Sequence, residues 1–188
     1  MADLSPELAE YQNQFNANRQ QASEICAELS SARFNLRPGP DAWSVAECLS
    51  HLNISARLYV DQIMPAIERA RQRGLMGEGP YKYGIMARWL IRTMEPPPRR
   101  KYKVPRRFTD PSTAHDIDKV LTHFDAAGED WNRCLGAANG LHLARVKVRS
   151  PASPLMRFPL GALFAMMAAH ERRHLWQAKQ AASAANST

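Results

Sequence analysis

Apolar residues return every three or four positions along four long stretches of the chain, the period of one face of an α-helix. In the first stretch, from about Ser5 to Ala32, the residues Leu8, Tyr11, Phe15, Ala22, Ile25 and Leu29 share a side, and the turn sequence Arg37-Pro38-Gly39-Pro40 follows. The second starts at Ser44, which forms a capping box with Glu47, and carries Val45, Leu49, Leu52, Ala56, Tyr59, Ile63, Ile67 and Ala70 as far as Arg73 and Gly74. Pro65 lies inside it and is expected to kink it. The third is opened by Thr113 with Asp116, uses Ile117, Val120, Leu121, Phe124, Trp131 and Leu135, and stops near Asn139 and Gly140. The fourth runs from about Leu160 to Ala182, with Leu160, Leu163, Met167 and Ala178 on one face.

Four amphipathic helices without a confident sheet predict an all-α fold, a four-helix bundle. The stretch from Gly74 to Ser112 is too long for a tight antiparallel link, so a long crossover connection between the second and third helices is expected. Within it, residues 83 to 94 (YGIMARWLIRTM) have the pattern of a short extra helix, and residues 141 to 149 (LHLARVKVR) alternate like an edge strand or an extended arm. The 188 residues, 45% apolar, suffice for one core without staples, so the chain is expected to be a single domain over 1–188 with its structured core at about 5–182. The Ala/Ser-rich tail after Lys179 is expected to fray.

Composition narrows the function. No apolar run is long enough to span a bilayer, and the acidic opening MADLSPELAEYQ lacks the basic start of a secretory signal, so a cytoplasmic location is expected. Cys26, Cys48 and Cys134 are scattered without C-x-x-C spacing and read as reduced thiols packed as small apolar groups. The net charge of +7 owes much to RRKYKVPRR at 99 to 107. Tyr102 and Phe108 beside it could stack on bases, but no recognition helix, zinc finger or RNP-type motif accompanies the run, and nucleic acid is not the expected partner. Such a loop over a bundle mouth would instead draw an anionic small-molecule substrate through Arg99, Arg100 and Lys101.

The candidate chemistry lies in His-Glu-Arg-Arg-His at 170 to 174. His170 and His174 are one helical turn apart within the apolar stripe, where a buried imidazole needs a metal, a carboxylate or a carbonyl as partner. Arg172 and Arg173 look like solvated flanks. The run also satisfies H-E-x-x-H, but the 14 residues after it contain no His, Asp or Glu as a third ligand, and both intervening positions are Arg, so a zinc protease is not indicated. Among His51, His115, His123 and His142, His51 is best placed to join the pair, on the flank of the second helix one turn after Cys48 and one before Ser55. The other three read as surface or capping histidines, Trp43 and Trp176 as packing residues, and Glu47 as a cap before any catalytic role.

Trp43, Ser44, Glu47, His51 and Leu52, spaced W-S-x-x-E-x-x-x-H-L, together with the late H-x-x-x-H followed by Leu175 and Gln177, resemble the DinB/YfiT-like superfamily of four-helix-bundle metalloproteins. The resemblance covers the chain from the first helix to about Gln180, with 74 to 112 and 141 to 159 only loosely patterned. It implies that His51, His170 and His174 bind one divalent metal ion. It further implies a transferase or isomerase using a low-molecular-weight thiol such as mycothiol, bacillithiol or glutathione. Three histidines leave an open coordination position, which suits transfer, isomerisation or hydrolysis on a small molecule. Nickel or zinc is the first expectation for the ion, while manganese and iron also accept imidazole. The competing expectation is a non-catalytic stress-response or binding protein with a structural or vestigial site. A homodimer is a further expectation for a bundle of this type.

Overall fold

The computed structural model describes residues 3–98, 103–112 and 114–185. Six helices and one small hairpin follow in the order α1 (Pro6–Cys26), α2 (Ser31–Asn35), α3 (Val45–Gln72), α4 (Ile85–Met94), α5 (Ile117–Ala138), β1 (Lys147–Ser150), β2 (Ser153–Pro159) and α6 (Leu160–Ala185), with a 3-10 turn at Arg106–Phe108. The fold is all-α, and α1, α3, α5 and α6 are the four long helices expected from the periodicity. α1 packs on α5 and α6, and α3 packs on the same two, so the bundle has α1 and α3 on one diagonal and α5 and α6 on the other.

Helix direction explains the long connection. Asn53 Nδ2 donates to the Val120 carbonyl near the start of both α3 and α5. Arg71 donates to the Ala137 carbonyl, and Met76 bridges to Leu141, near the end of both. α3 and α5 are therefore parallel neighbours, and the chain must travel back along the bundle between Arg73 and Asp116, the crossover the sequence predicts. α4 and the 3-10 turn lie within that return. Tyr83 pins its first part by donating to Glu7 of α1, which also accepts from Tyr11. Gly161 is what lets Tyr83 lie there, since a Cβ at that position would collide with the phenol oxygen.

Two apolar clusters fill the bundle. The larger centres on Leu8, Phe15, Ile63, Trp131, Leu135, Leu163 and Phe164, with Phe15 and Trp131 stacked at 4.9 Å. The second, around Phe34, Val45, Leu49, Leu52, Phe124 and Leu175, closes the opposite end. Each fully buried side chain of this size contributes roughly 1.5–3 kcal/mol through removal from water. Cys26, Cys48 and Cys134 are buried free thiols, and burial pushes Cys26 up to about 11 and Cys134 up to about 12, which keeps them inert. Among the described residues no helix is long and apolar enough to cross a membrane.

Several boundaries differ from those read in the sequence. The first helix ends at Cys26, because the Ser30 side chain accepts from the Arg33 N–H and starts α2 separately. Asp116 is itself the cap of α5, accepting from the Lys119 N–H, while the Thr113 of the expected cap lies outside the described residues. The alternating segment becomes a strand only at Lys147 and pairs with Ser153–Pro159, whose strand character the sequence did not announce. Helix α3 continues through Pro65 to Gln72.

Candidate metal centre

The Ser44 cap fixes the start of α3, and with it the rotation of the helix. Ser44 Oγ accepts from the Glu47 N–H at 3.1 Å, and Glu47 Oε2 accepts from the Ser44 N–H at 2.9 Å. In that register Val45, Cys48, Leu49 and Leu52 enter the second cluster, whereas His51 turns toward α6. The two α6 histidines lie one turn apart on the face that meets it, and one ring nitrogen from each of His51, His170 and His174 falls within 4.8 Å of the others. These are the only described residues that form such a group of metal-ligating side chains.

The hydrogen bonding fixes how His51 presents itself. Its Nδ1 donates to the Phe108 carbonyl at 2.8 Å, so its Nε2 carries a lone pair, and that atom lies 3.2 Å from His170 Nε2. Burial lowers the proton affinity of all three rings: His51 below its ordinary value, His170 to about 3, and His174 well below the usual imidazole range. For His170 and His174, the neighbouring rings and Arg173 add repulsion to the burial cost. Three neutral imidazoles facing one another, with no carboxylate in the group, leave lone pairs crowded together unless a cation lies among them. The donor set thus fits a divalent ion of borderline softness.

The group opens onto a cavity of about 910 Å³. Its walls come from α3, α4, the segment around 103–109, the β1–β2 hairpin and α6, with Leu90, Met94, Met166 and Phe158 among the apolar contributors. Trp43 packs on the histidines themselves: its ring stacks on His174 at 5.6 Å and meets His51 edge-on at 5.1 Å. Two residues that the sequence reading did not single out as functional complete the wall on α3. Ser55, one turn beyond His51 and 1% exposed, has a hydroxyl with no hydrogen-bond partner, and Tyr59, a turn further, lies 3.3 Å from the Ser150 hydroxyl. The signal that could have found them is the spacing His51, Ser55, Tyr59 on one helical face.

Other expectations change with the packing. Arg172 and Arg173 are not solvated flanks: Arg172 is half-buried and pairs with Glu95 at 2.5 Å, and Arg173 is buried and donates to the Thr93 carbonyl. Glu171 points away from the histidine group into the interhelical core, where Asn18 Nδ2 and Trp131 Nε1 each donate to it at 2.9 Å. Burial raises its pKa to about 7. That orientation removes it from the general-base position of a zinc protease. Phe108 is buried in the core beside His51, so it offers no face to a nucleobase. Arg99, Arg100, Lys101 and Tyr102 lie outside the described residues, but Lys103 of the same basic run lines the cavity. Glu47 is engaged by Arg37 and Ser44, as a cap should be. His123 is exposed, His115 packs against Ser50, and His142 packs against Tyr81.

Comparison with curated proteins and with solved structures finds no match. A family model of the DinB superfamily, by contrast, matches residues 14–178, which reaches from within α1 to within α6 and includes all of α3 and α5 and the three histidines. Together with a helical bundle in which three histidines converge on one point, this match establishes that the chain belongs to the DinB superfamily.

Proposed function

We propose that His51, His170 and His174 hold one divalent metal ion, nickel or zinc before manganese or iron. In this reading the chain, working as a single domain, is a metal-dependent enzyme that acts on a small molecule, by thiol-dependent transfer or isomerisation or by hydrolysis. The observation that carries the proposal is the convergence of three neutral imidazoles, His51 and His174 buried and His170 half-buried, within 4.8 Å at the wall of a cavity of about 910 Å³. Bound there, the ion would supply Lewis acidity and a site at which a thiol or a water loses a proton more readily.

The chain's own residues support a reactive site over a purely structural one. A structural ion would be closed in by a fourth ligand, and among the described residues no Cys or carboxylate joins the group. Cys48, the nearest thiol in sequence, is buried in the second cluster and stays protonated. The cavity lies near the upper end of the ~300–1,000 Å³ range of small-molecule sites, enough for a small thiol and its acceptor together. Ser55 offers an unused hydroxyl about one turn from His51, suited to orient a substrate oxygen. Lys103 and Arg173 on the lining favour a ligand bearing a carboxylate.

The test is a screen of the metal-loaded protein with glutathione, mycothiol or bacillithiol and small electrophiles, following thiol consumption. Turnover that requires metal and disappears in His51→Ala is expected. Stoichiometric metal binding with no thiol- or water-dependent reaction across the screen would favour a binding protein instead.

A further inference from the structure

Positive charge gathers at a second place besides the basic run at 99 to 107, and this one forms only in the fold. Arg69 on α3 and Arg73 at its C-terminal cap, Arg145, Lys147 and Arg149 along the approach to and length of β1, and Arg157 on β2 converge on a separate groove of about 600 Å³. Asp61 is the single carboxylate on its lining, so six cations leave five positive charges there, against +7 for the whole chain. Among the described residues none of the six forms an ion pair, although Arg19, Arg37, Arg133 and Arg172 elsewhere each take an acid.

The arrangement works against its own stability. Lys147 and Arg149 face outward on β1, with Val148 and Ser150 turned inward, and Arg149 stands directly opposite Arg157 in the antiparallel register. Like charges in facing positions of a ladder destabilise the pair. Concave and lined by six cations against the single carboxylate of Asp61, the groove concentrates its field on whatever anion enters it. Its lining contains no aromatic side chain on which a base could stack, and its volume is that of a small-molecule site. The hairpin is a shared wall: Ser150, Met156 and Phe158 line the histidine cavity, whereas Lys147, Arg149 and Arg157 line the groove.

We propose that this groove is a second binding site, independent of the histidine group, for a compact polyanion of diphosphate or triphosphate type, either free or carried on a small molecule. Arginine forks from both strands of the hairpin and from α3 would clasp adjacent phosphates from two sides.

Calorimetric titration of the full chain with inorganic tripolyphosphate at about 150 mM salt, where weak surface attraction is screened, tests this. Saturable binding of one anion per chain is expected, weakened about tenfold or more, a loss of roughly 1.4 kcal/mol, in both Arg149→Ala/Arg157→Ala and Arg69→Ala/Arg73→Ala. These side chains are exposed, so the variants should fold as the wild type does. Binding should persist in His51→Ala, and a parallel titration with a nucleoside triphosphate shows whether the free or the esterified form is preferred. The proposal is overturned by the absence of saturable binding, by equal affinity in the arginine variants, or by sulfate binding as tightly as tripolyphosphate. Loss of binding in His51→Ala would overturn it by placing the anion on the metal, and displacement of tripolyphosphate by a more tightly held DNA duplex would overturn it in favour of nucleic acid.

Discussion

Single residues on α6 divide sharply by the direction they face. His170 and Glu171 are neighbours in sequence, yet the imidazole joins the histidine group while the carboxylate accepts from Trp131 and Asn18 between the other helices. Trp131→Phe would leave that buried carboxylate one donor short and cost about 1–3 kcal/mol in urea unfolding. It should leave metal content unchanged, and a parallel loss of metal would mean that Glu171 serves the histidine group after all. Ser55→Ala should leave stability within about 0.5 kcal/mol, since its hydroxyl has no partner to lose. A substrate that uses that hydroxyl would bind more weakly to the variant. His170 and His174 were legible because an imidazole in an apolar stripe is conspicuous, whereas His51, on the flank of its stripe, was legible through the W-S-x-x-E-x-x-x-H-L spacing. Ser55 was not, because a serine on a helix flank carries no comparable signature until a cavity forms beside it.

Among the elements, α3 depends most on a local device. The Ser44–Glu47 box sets its register, and Ser44→Ala should cost about 1 kcal/mol of unfolding free energy. Burial alone would raise the Glu47 carboxyl, but the Arg37 guanidinium and the Ser44 N–H more than offset this and hold it below the usual carboxylate range. A depressed folded-state pKa contributes stability that is present above the unfolded value and lost as pH falls through the folded one. Acid titration of wild-type stability should therefore be steeper below about pH 4.5 than that of Glu47→Gln. Equal slopes would show that the box contributes no charge-dependent stability. Helix positions were legible from period and cap together. The α1–α2 break and the hairpin were not: four residues of turn interrupt one apolar stripe without changing its composition, and β2 carries Pro154 and Pro159, which argue locally against a strand.

At the scale of the molecule, the crossover lets two parallel helices, α3 and α5, sit side by side while α6 meets α3 head to tail, and the histidines join across that antiparallel contact. The length of 74–112 announced this topology, since no short loop can join parallel neighbours. The basic groove was illegible for the opposite reason, because its six cations are spread from Arg69 to Arg157 and meet only in the fold. A site bridging α3 and α6 ties ligand binding to global stability. Metal at about 100 times its dissociation constant should add roughly 2.7 kcal/mol, or some 5–10 °C in melting temperature for a chain of this length. His170→Ala should abolish that shift.

Elemental analysis of protein purified without chelator or histidine tag, beside His51→Ala, His170→Ala and His174→Ala, bears most directly on the metal centre. Close to one divalent ion per chain in the wild type, lost in each variant while the helical signal is retained, is the expected result. A wild-type protein that stays metal-free after nickel or zinc is added, or variants that keep their ion, would contradict the three-histidine site.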